Sequence, residues 1–338
     1  MLDLLVEFAA DPWSASLILV LGVIVLLIGG HLLVNGAAAI ARRLGWSTLV
    51  IGLTIVAFGT SAPELFFNVI AAKSGHSEMS FGNIVGSNIA NIGLILGVTA
   101  LFAPLVVHGR IISKELPWLV FISFFALGMA LVTFFGKGQS FDRFEGMIML
   151  AAFAAFMIAW YRMGKRDKAD PLIVELGTEA EEESQASLPL AISMLIGGLV
   201  MLLLGGKLAE IGAVSAAKLL GLSESLIGLT IVAVATSLPE LATCVIAVRK
   251  GHDDLAIGNI IGSNLFNLLL VLGTTAVITP VVVPGKWGIW DLVAMNVITL
   301  LLWPFARTHG KKVSRIEGGI LLLLYFGYMT FSVVRELR

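Results

Sequence analysis

Apolar residues run through this chain in ten long stretches, centred near residues 28, 60, 93, 125, 152, 203, 237, 268, 297 and 326, with polar positions gathered in the gaps. A helix needs about twenty apolar residues to cross a hydrocarbon core of roughly 30 Å, and each stretch meets that requirement. The pattern predicts an all-α membrane protein with ten transmembrane helices. The first stretch, Ser14 to Ile40, would be roughly 40 Å long at 1.5 Å per residue, which exceeds the bilayer and predicts a tilted helix. One gap stands apart: Arg162 to Ser187 holds Glu179, Glu181, Glu182 and Glu183, the composition of a solvated loop. It divides the chain into residues 1–161, a linker at 162–187, and residues 188–338, with five stretches on each side.

Polar residues that interrupt the apolar stretches recur. Gly52 to Glu64 reads GLTIVAFGTSAPE and Gly228 to Glu240 reads GLTIVAVATSLPE, identical at ten of thirteen positions and offset by 176 residues. The phrase GNIVGSNIAN from Gly82 returns at the same offset as GNIIGSNLFN from Gly258. Five spans per half is an odd number, so the second copy enters the membrane in the direction opposite to the first. Inverted repeats of this kind place a substrate site near the midplane, where discontinuous helices of the two halves meet.

Composition agrees with the spans and excludes several alternatives. Hydrophobic residues make up 58% of the chain and charged ones 13%, with mean hydropathy +0.97. The net charge of −1 gives no basic surface for nucleic acid. A single cysteine and five scattered histidines exclude an internal disulfide and argue against zinc or copper sites. The N-terminal segment carries Asp3, Glu7 and Asp11 without lysine or arginine, unlike a cleaved signal peptide. Assigning loops alternately to the two faces puts fourteen basic residues on one side and seven on the other, so the positive-inside rule predicts both termini outside and the acidic linker in the cytoplasm.

The repeated phrases carry the chemistry. A carboxylate inside a span is costly unless it faces a cavity or a charged ligand. Proline has no amide hydrogen and clashes with the carbonyl four residues back, so Pro63 and Pro239 predict broken helices beside Glu64 and Glu240. Thr60, Ser61 and Glu64 share one such turn; Thr236, Ser237 and Glu240 share the other. Ser87 and Asn91 are four residues apart and lie on one helical face, as do Ser263 and Asn267. This all-oxygen set suits a hard cation such as calcium or sodium. The paired glycines Gly82 and Gly86, with Gly258 and Gly262, predict close helix packing. Thr54 and Thr230 are read as packing hydroxyls, and Lys207 as a partner for Glu210.

The paired phrases GTSAPE with GNIVGSN, and ATSLPE with GNIIGSN, resemble the alpha repeats of the cation/calcium exchanger superfamily, bacterial sodium/calcium exchangers above all. The likeness covers both halves. It implies the sodium/calcium exchanger fold: ten transmembrane helices in two inverted five-helix repeats, with helices two, three, seven and eight as a core and helices one and six sliding across it. Carried over position by position, it implies cation ligands at Glu64 and Glu240, then Thr60, Ser61, Thr236 and Ser237, then Ser87, Asn91, Ser263 and Asn267. The backbone carbonyls of Ala57 and Ala233 join the set on the resemblance alone. Some relatives, including potassium-coupled ones, hold an aspartate where this chain has Asn267, which argues against potassium coupling here. The implied activity is calcium/sodium antiport in a bacterial inner membrane, by a monomer with no cofactor and no enzymatic chemistry. A proton/calcium antiporter would use the same carboxylates and is the nearest alternative; a passive channel has no need of inverted repeats.

Overall fold

The computed structural model describes Ala9 and residues 11–135, 139–167, 186–221 and 233–336. These residues are nearly all helical. The first half contains α1 (Pro12–Leu44), α2 (Thr48–Thr60), α3 (Ala62–Lys73), α4 (Ser77–Phe102), α5 (Ile111–Thr133) and α6 (Arg143–Asp167). The second contains α7 (Leu188–Leu219), α8 (Ala233–Thr236), α9 (Leu238–Arg249), α10 (Asp253–Ile278), α11 (Gly285–Phe305) and α12 (Arg315–Glu336). Among the described residues, eight of these helices are long and apolar enough to cross a membrane, and α2 with α3 meets the same requirement as a pair bent by 42°. The span expected near residue 237 is described only from Ala233, and linker residues 168–185 lie outside the described residues, as does Thr230.

Local signals set the helix ends. Asp11 caps α1, its carboxylate accepting from the amides of Trp13 (2.9 Å) and Ser14 (3.2 Å), with Pro12 pre-set for the first turn. Gly45, at φ +64°, closes the other end in the left-handed conformation that glycine adopts without strain. Ser187 caps α7 in the same way as Asp11 caps α1, accepting from Leu190. At 33 and 32 residues, α1 and α7 are each about 50 Å long, well beyond the hydrocarbon thickness, and must lie tilted.

These two long helices touch backbone to backbone. A Cβ built on Gly22, Gly29 or Gly36 would meet the backbone nitrogen of Ala209, Leu202 or Leu195 at 2.4, 2.7 and 2.5 Å. On α7, Gly198, Gly205 and Gly212 stand equally close to Leu33, Leu26 and Leu19, at 2.3, 2.6 and 2.5 Å. Rising numbers on α1 meet falling numbers on α7, so the pair is antiparallel. The six glycines form three pairs at the 176-residue offset, and within each helix they recur every seven residues, which keeps them on one side of the contact.

The core lies beneath. Of the apolar windows of α4 and α10, 83% and 94% are buried inside the protein. Helix α2 runs against α10 through Gly52, Gly258 and Gly262, where a Cβ would fall within 2.8 Å of the facing helix, as the glycine spacing predicted for the second phrase. The segment equivalent to Gly52, around Gly228, lies outside the described residues, so the partner of Gly82 and Gly86 is not described.

Four two-residue strands tie the loops across the halves. Strand β1 (Leu105–Val106) pairs antiparallel with β4 (Lys312–Val313), and β2 (Ser140–Phe141) with β3 (Val281–Val282). Residues at the start of the core helices hold β1 and β3 from the side. The Val106 amide donates to Asp253 at 2.9 Å, and the Val282 amide donates to Ser77 at 2.8 Å. Both donor and acceptor in these two contacts are related by 176 residues. Asp253→Ala removes a hydrogen bond to a charged group, and a loss of about 1.5–3 kcal/mol is expected; thermal unfolding in detergent, compared with wild type, measures it.

Candidate cation site

Pro63 lies in the first turn of α3, and the chain turns at Ser61 (φ −88°, ψ 2°) before that helix begins. Pro239 and Ser237 (φ −92°, ψ 1°) repeat the arrangement at the start of α9. Each glutamate therefore sits in the first turn of a helix, where the helix dipole favours negative charge. Glu64 is 5% exposed and Glu240 is 3% exposed. Both lie among buried residues, each at the start of a helix that follows a broken turn. Each half of the chain thus contributes one buried carboxylate.

Neutral oxygens surround them. Thr60, Ser61, Ser87, Asn91, Ser237, Ser263 and Asn267 are all buried, and Thr236 is half-buried beside the second break. Ala57 is fully buried on α2 and packs against Gly262, while Ala233 begins the short helix α8 that leads to Thr236. The Thr60 hydroxyl also donates to Asn259 Oδ1 at 3.3 Å, joining α2 to α10. Asn91 Nδ2 donates to Asn264 Oδ1 at 3.1 Å, joining α4 to α10. Helix α4 widens into a π turn over Asn91–Leu96, and α10 does so over Phe266–Val271, one residue earlier than the repeat offset places it. Such turns are rare and gather at functional sites.

Several of these atoms have no partner. Ser61 Oγ, Glu64 Oε2, Glu240 Oε2, Ser263 Oγ and Asn267 Oδ1 are buried, and no hydrogen bond is made to them. Buried polar atoms are nearly always bonded, because leaving one unmade costs about 1–3 kcal/mol or more for a charged group. All five of these unmatched oxygens come from residues that the repeated phrases single out. Among the described residues no three His, Cys, Asp or Glu side chains are grouped so as to hold a metal ion, and the unmatched oxygens belong to two carboxylates, two hydroxyls and one amide. That donor chemistry suits a hard cation rather than zinc.

Other sequence-predicted residues are employed elsewhere. Thr54 donates to the Val50 carbonyl one turn back at 2.6 Å, a local helix bond. Lys207 pairs with Glu210 at 2.8 Å on the surface of α7. Sequence reasoning missed Asn83 and Asn259. They extend the four-residue series 83, 87, 91 and 259, 263, 267 by one turn, so the rule that selected Ser87 and Asn91 would have reached them. It also missed a second pair of buried acids at the same offset: Glu115, which accepts from Trp160 at 3.4 Å, and Asp291, which pairs with Arg335 at 2.8 Å.

Comparison with known proteins places the whole chain in a family. The family model described as sodium/calcium exchanger protein matches residues 14–162 and 190–334. CaxA of Alkalimonas amylolytica, named as an antiporter, is 41% identical over 317 residues, covering 93% of this chain and 97% of its own. The sodium/calcium exchanger MaX1 of Methanosarcina acetivorans is 33% identical, with 93% and 97% covered. The inner membrane protein YrbG of Escherichia coli is 32% identical, with 95% and 99% covered. A structure of the sodium-calcium exchanger NCX_Mj soaked with Na+ and Sr2+ superimposes with a TM-score of 0.80 at 29% identity, over 95% of this chain and 99% of that one. The family model spans both copies of the repeated phrases, and these relatives align almost end to end: the chain belongs to the sodium/calcium exchanger family.

Proposed function

We propose that the protein exchanges calcium for sodium across a bacterial inner membrane by alternating access, with the cation held between Glu64 and Glu240. The observation that carries this reading is the group of unmatched buried oxygens on Ser61, Glu64, Glu240, Ser263 and Asn267. Thr60, Thr236, Ser237, Ser87 and Asn91, with the carbonyls of Ala57 and Ala233, complete the shell. Two carboxylates carry a charge of minus two, which one calcium ion or two sodium ions neutralise. The cargoes therefore compete for one cage. A cage with neither cargo keeps bare charge, and occluding it under the apolar α1–α7 pair is unfavourable, because uncompensated buried charge is expensive. Loaded states cross and the empty state does not, which couples the two fluxes.

The halves 1–161 and 188–338 act as inverted five-helix repeats, ten spans in all, joined by the cytoplasmic linker 162–187. The antiparallel run of α1 and α7, equivalent helices by the 176-residue offset, supports this reading, as do the mirrored contacts of Asp253 and Ser77. Basic-residue bias places both termini outside. The ions are cargo, no cofactor takes part, and one chain contains the complete cage.

Sodium-loaded, everted membrane vesicles diluted into sodium-free medium are expected to accumulate radioactive calcium with proton gradients collapsed by ionophore. Uptake that disappears with the ionophore and returns with an imposed pH gradient would assign the exchange to protons instead.

A further inference from the structure

The two half-sites are not equal below their glutamates. One turn after Glu64 lies Asn68, 0% exposed. Its Nδ2 donates to the Glu64 carbonyl at 2.7 Å and to Asn83 Oδ1 at 2.8 Å, and its Oδ1 accepts from the Ser80 hydroxyl at 2.9 Å. These bonds fasten α3, which carries Glu64, to α4, which carries Ser87 and Asn91. The 176-residue offset maps Asn68, Ser80 and Asn83 onto Cys244, Ala256 and Asn259. Among the described residues the equivalent links run through sulfur: Asn259 Nδ2 donates to Cys244 Sγ at 3.5 Å, and Cys244 Sγ donates to the Ala256 carbonyl at 3.6 Å. A thiol is a weak donor and a weak acceptor. The helix carrying Glu240 is thus tied less firmly to the helix carrying Ser263 and Asn267.

We propose that Asn68 is a positioning residue that makes Glu64 and its α4 neighbours the fixed half of the cation cage, and that Cys244 leaves Glu240 the adjustable half, so that the Asn68 frame sets selectivity for ion size. This rests on the exchanger reading above. A fixed half holds oxygens at the spacing one ionic radius requires, while an adjustable half accommodates ions of other sizes. Loosening the fixed half should therefore weaken calcium more than the larger barium. Giving the second half its own amide should sharpen the difference.

The test uses the full-length protein in proteoliposomes, with sodium-driven uptake of calcium and barium measured over a range of concentrations. Asn68→Cys is expected to raise the calcium half-saturation concentration about fivefold, the equivalent of one neutral hydrogen bond of about 1 kcal/mol, with little change in maximal rate. Its calcium-to-barium preference should fall. Cys244→Asn, a residue of similar volume that adds a bond, should raise that preference. If Asn68→Cys does not reach the membrane, Cys244→Asn decides alone. Unchanged half-saturation and preference in the variants, with normal sodium-driven flux in wild type, overturn this inference and leave the exchanger reading intact. A wild-type protein with no sodium-driven uptake overturns the reading itself.

Discussion

Glu64→Gln and Glu240→Gln, made one at a time, are each expected to cut sodium-driven calcium uptake by about a hundredfold or more, because removing one member of a buried charge arrangement costs about 3–5 kcal/mol. Glutamine keeps the size of the side chain and one oxygen, so the loss isolates charge. Half the negative charge of the cage goes with either change, and neither one calcium nor two sodium ions is then matched. Both variants should insert and fold, since a neutral amide is less costly than a carboxylate in that interior. Glu210→Gln, which alters a partly exposed carboxylate paired with Lys207 on α7, serves as the control and should change uptake by less than about twofold. Vesicles with equal amounts of inserted protein provide the comparison. Near-normal uptake by both Glu64→Gln and Glu240→Gln would remove the assigned site.

Gly29→Leu and Gly205→Leu are expected to be equally damaging for a different reason. At these positions the facing backbone nitrogen is 2.7 Å and 2.6 Å from where a Cβ would stand, and backbone cannot rotate aside as a side chain can. Overpacking a buried contact typically costs about 1–3 kcal/mol when side chains can adjust; here two long helices must separate. Little folded protein should remain after mild detergent extraction, judged by monodispersity in size-exclusion chromatography. Gly197, beside which no described atom lies within 4 Å of a Cβ, should tolerate alanine with an unchanged profile. Normal recovery of both leucine variants would show that α1 and α7 do not need their close contact.

The proline breaks were legible because proline acts on its own backbone, and the helices do turn at Ser61 and Ser237. The burial of the two glutamates was legible for a similar reason: only a ligand or partner makes a carboxylate tolerable in an apolar stretch. Other features depend on contacts that no local pattern specifies. The π turns at Asn91–Leu96 and Phe266–Val271 widen the helix by a residue within apolar sequence that looks like any other helix interior. The hydrogen bond between Asn91 and Asn264 crosses between halves, and face reasoning confined to one helix does not reach it. The glycines of α1 and α7 were visible as residues, but their seven-residue rhythm becomes a contact only once the two helices are known to be neighbours. Asn68 and Cys244 share no chemistry, so the repeat conceals them until Asn83 and Asn259 show what each one binds.

The small sheets bear on how the molecule is made. Each takes one strand from residues before the linker and one from residues after it, so neither half can complete its own loops. During synthesis the N-terminal half emerges first, and its strands Leu105–Val106 and Ser140–Phe141 must wait with unpaired edges until most of the remaining chain has been threaded into the bilayer. Final closure is thus a late event of long sequence separation, the kind that slows folding. A ribosome halted within α10 would leave a nascent chain whose loops on both faces are still open to proteases.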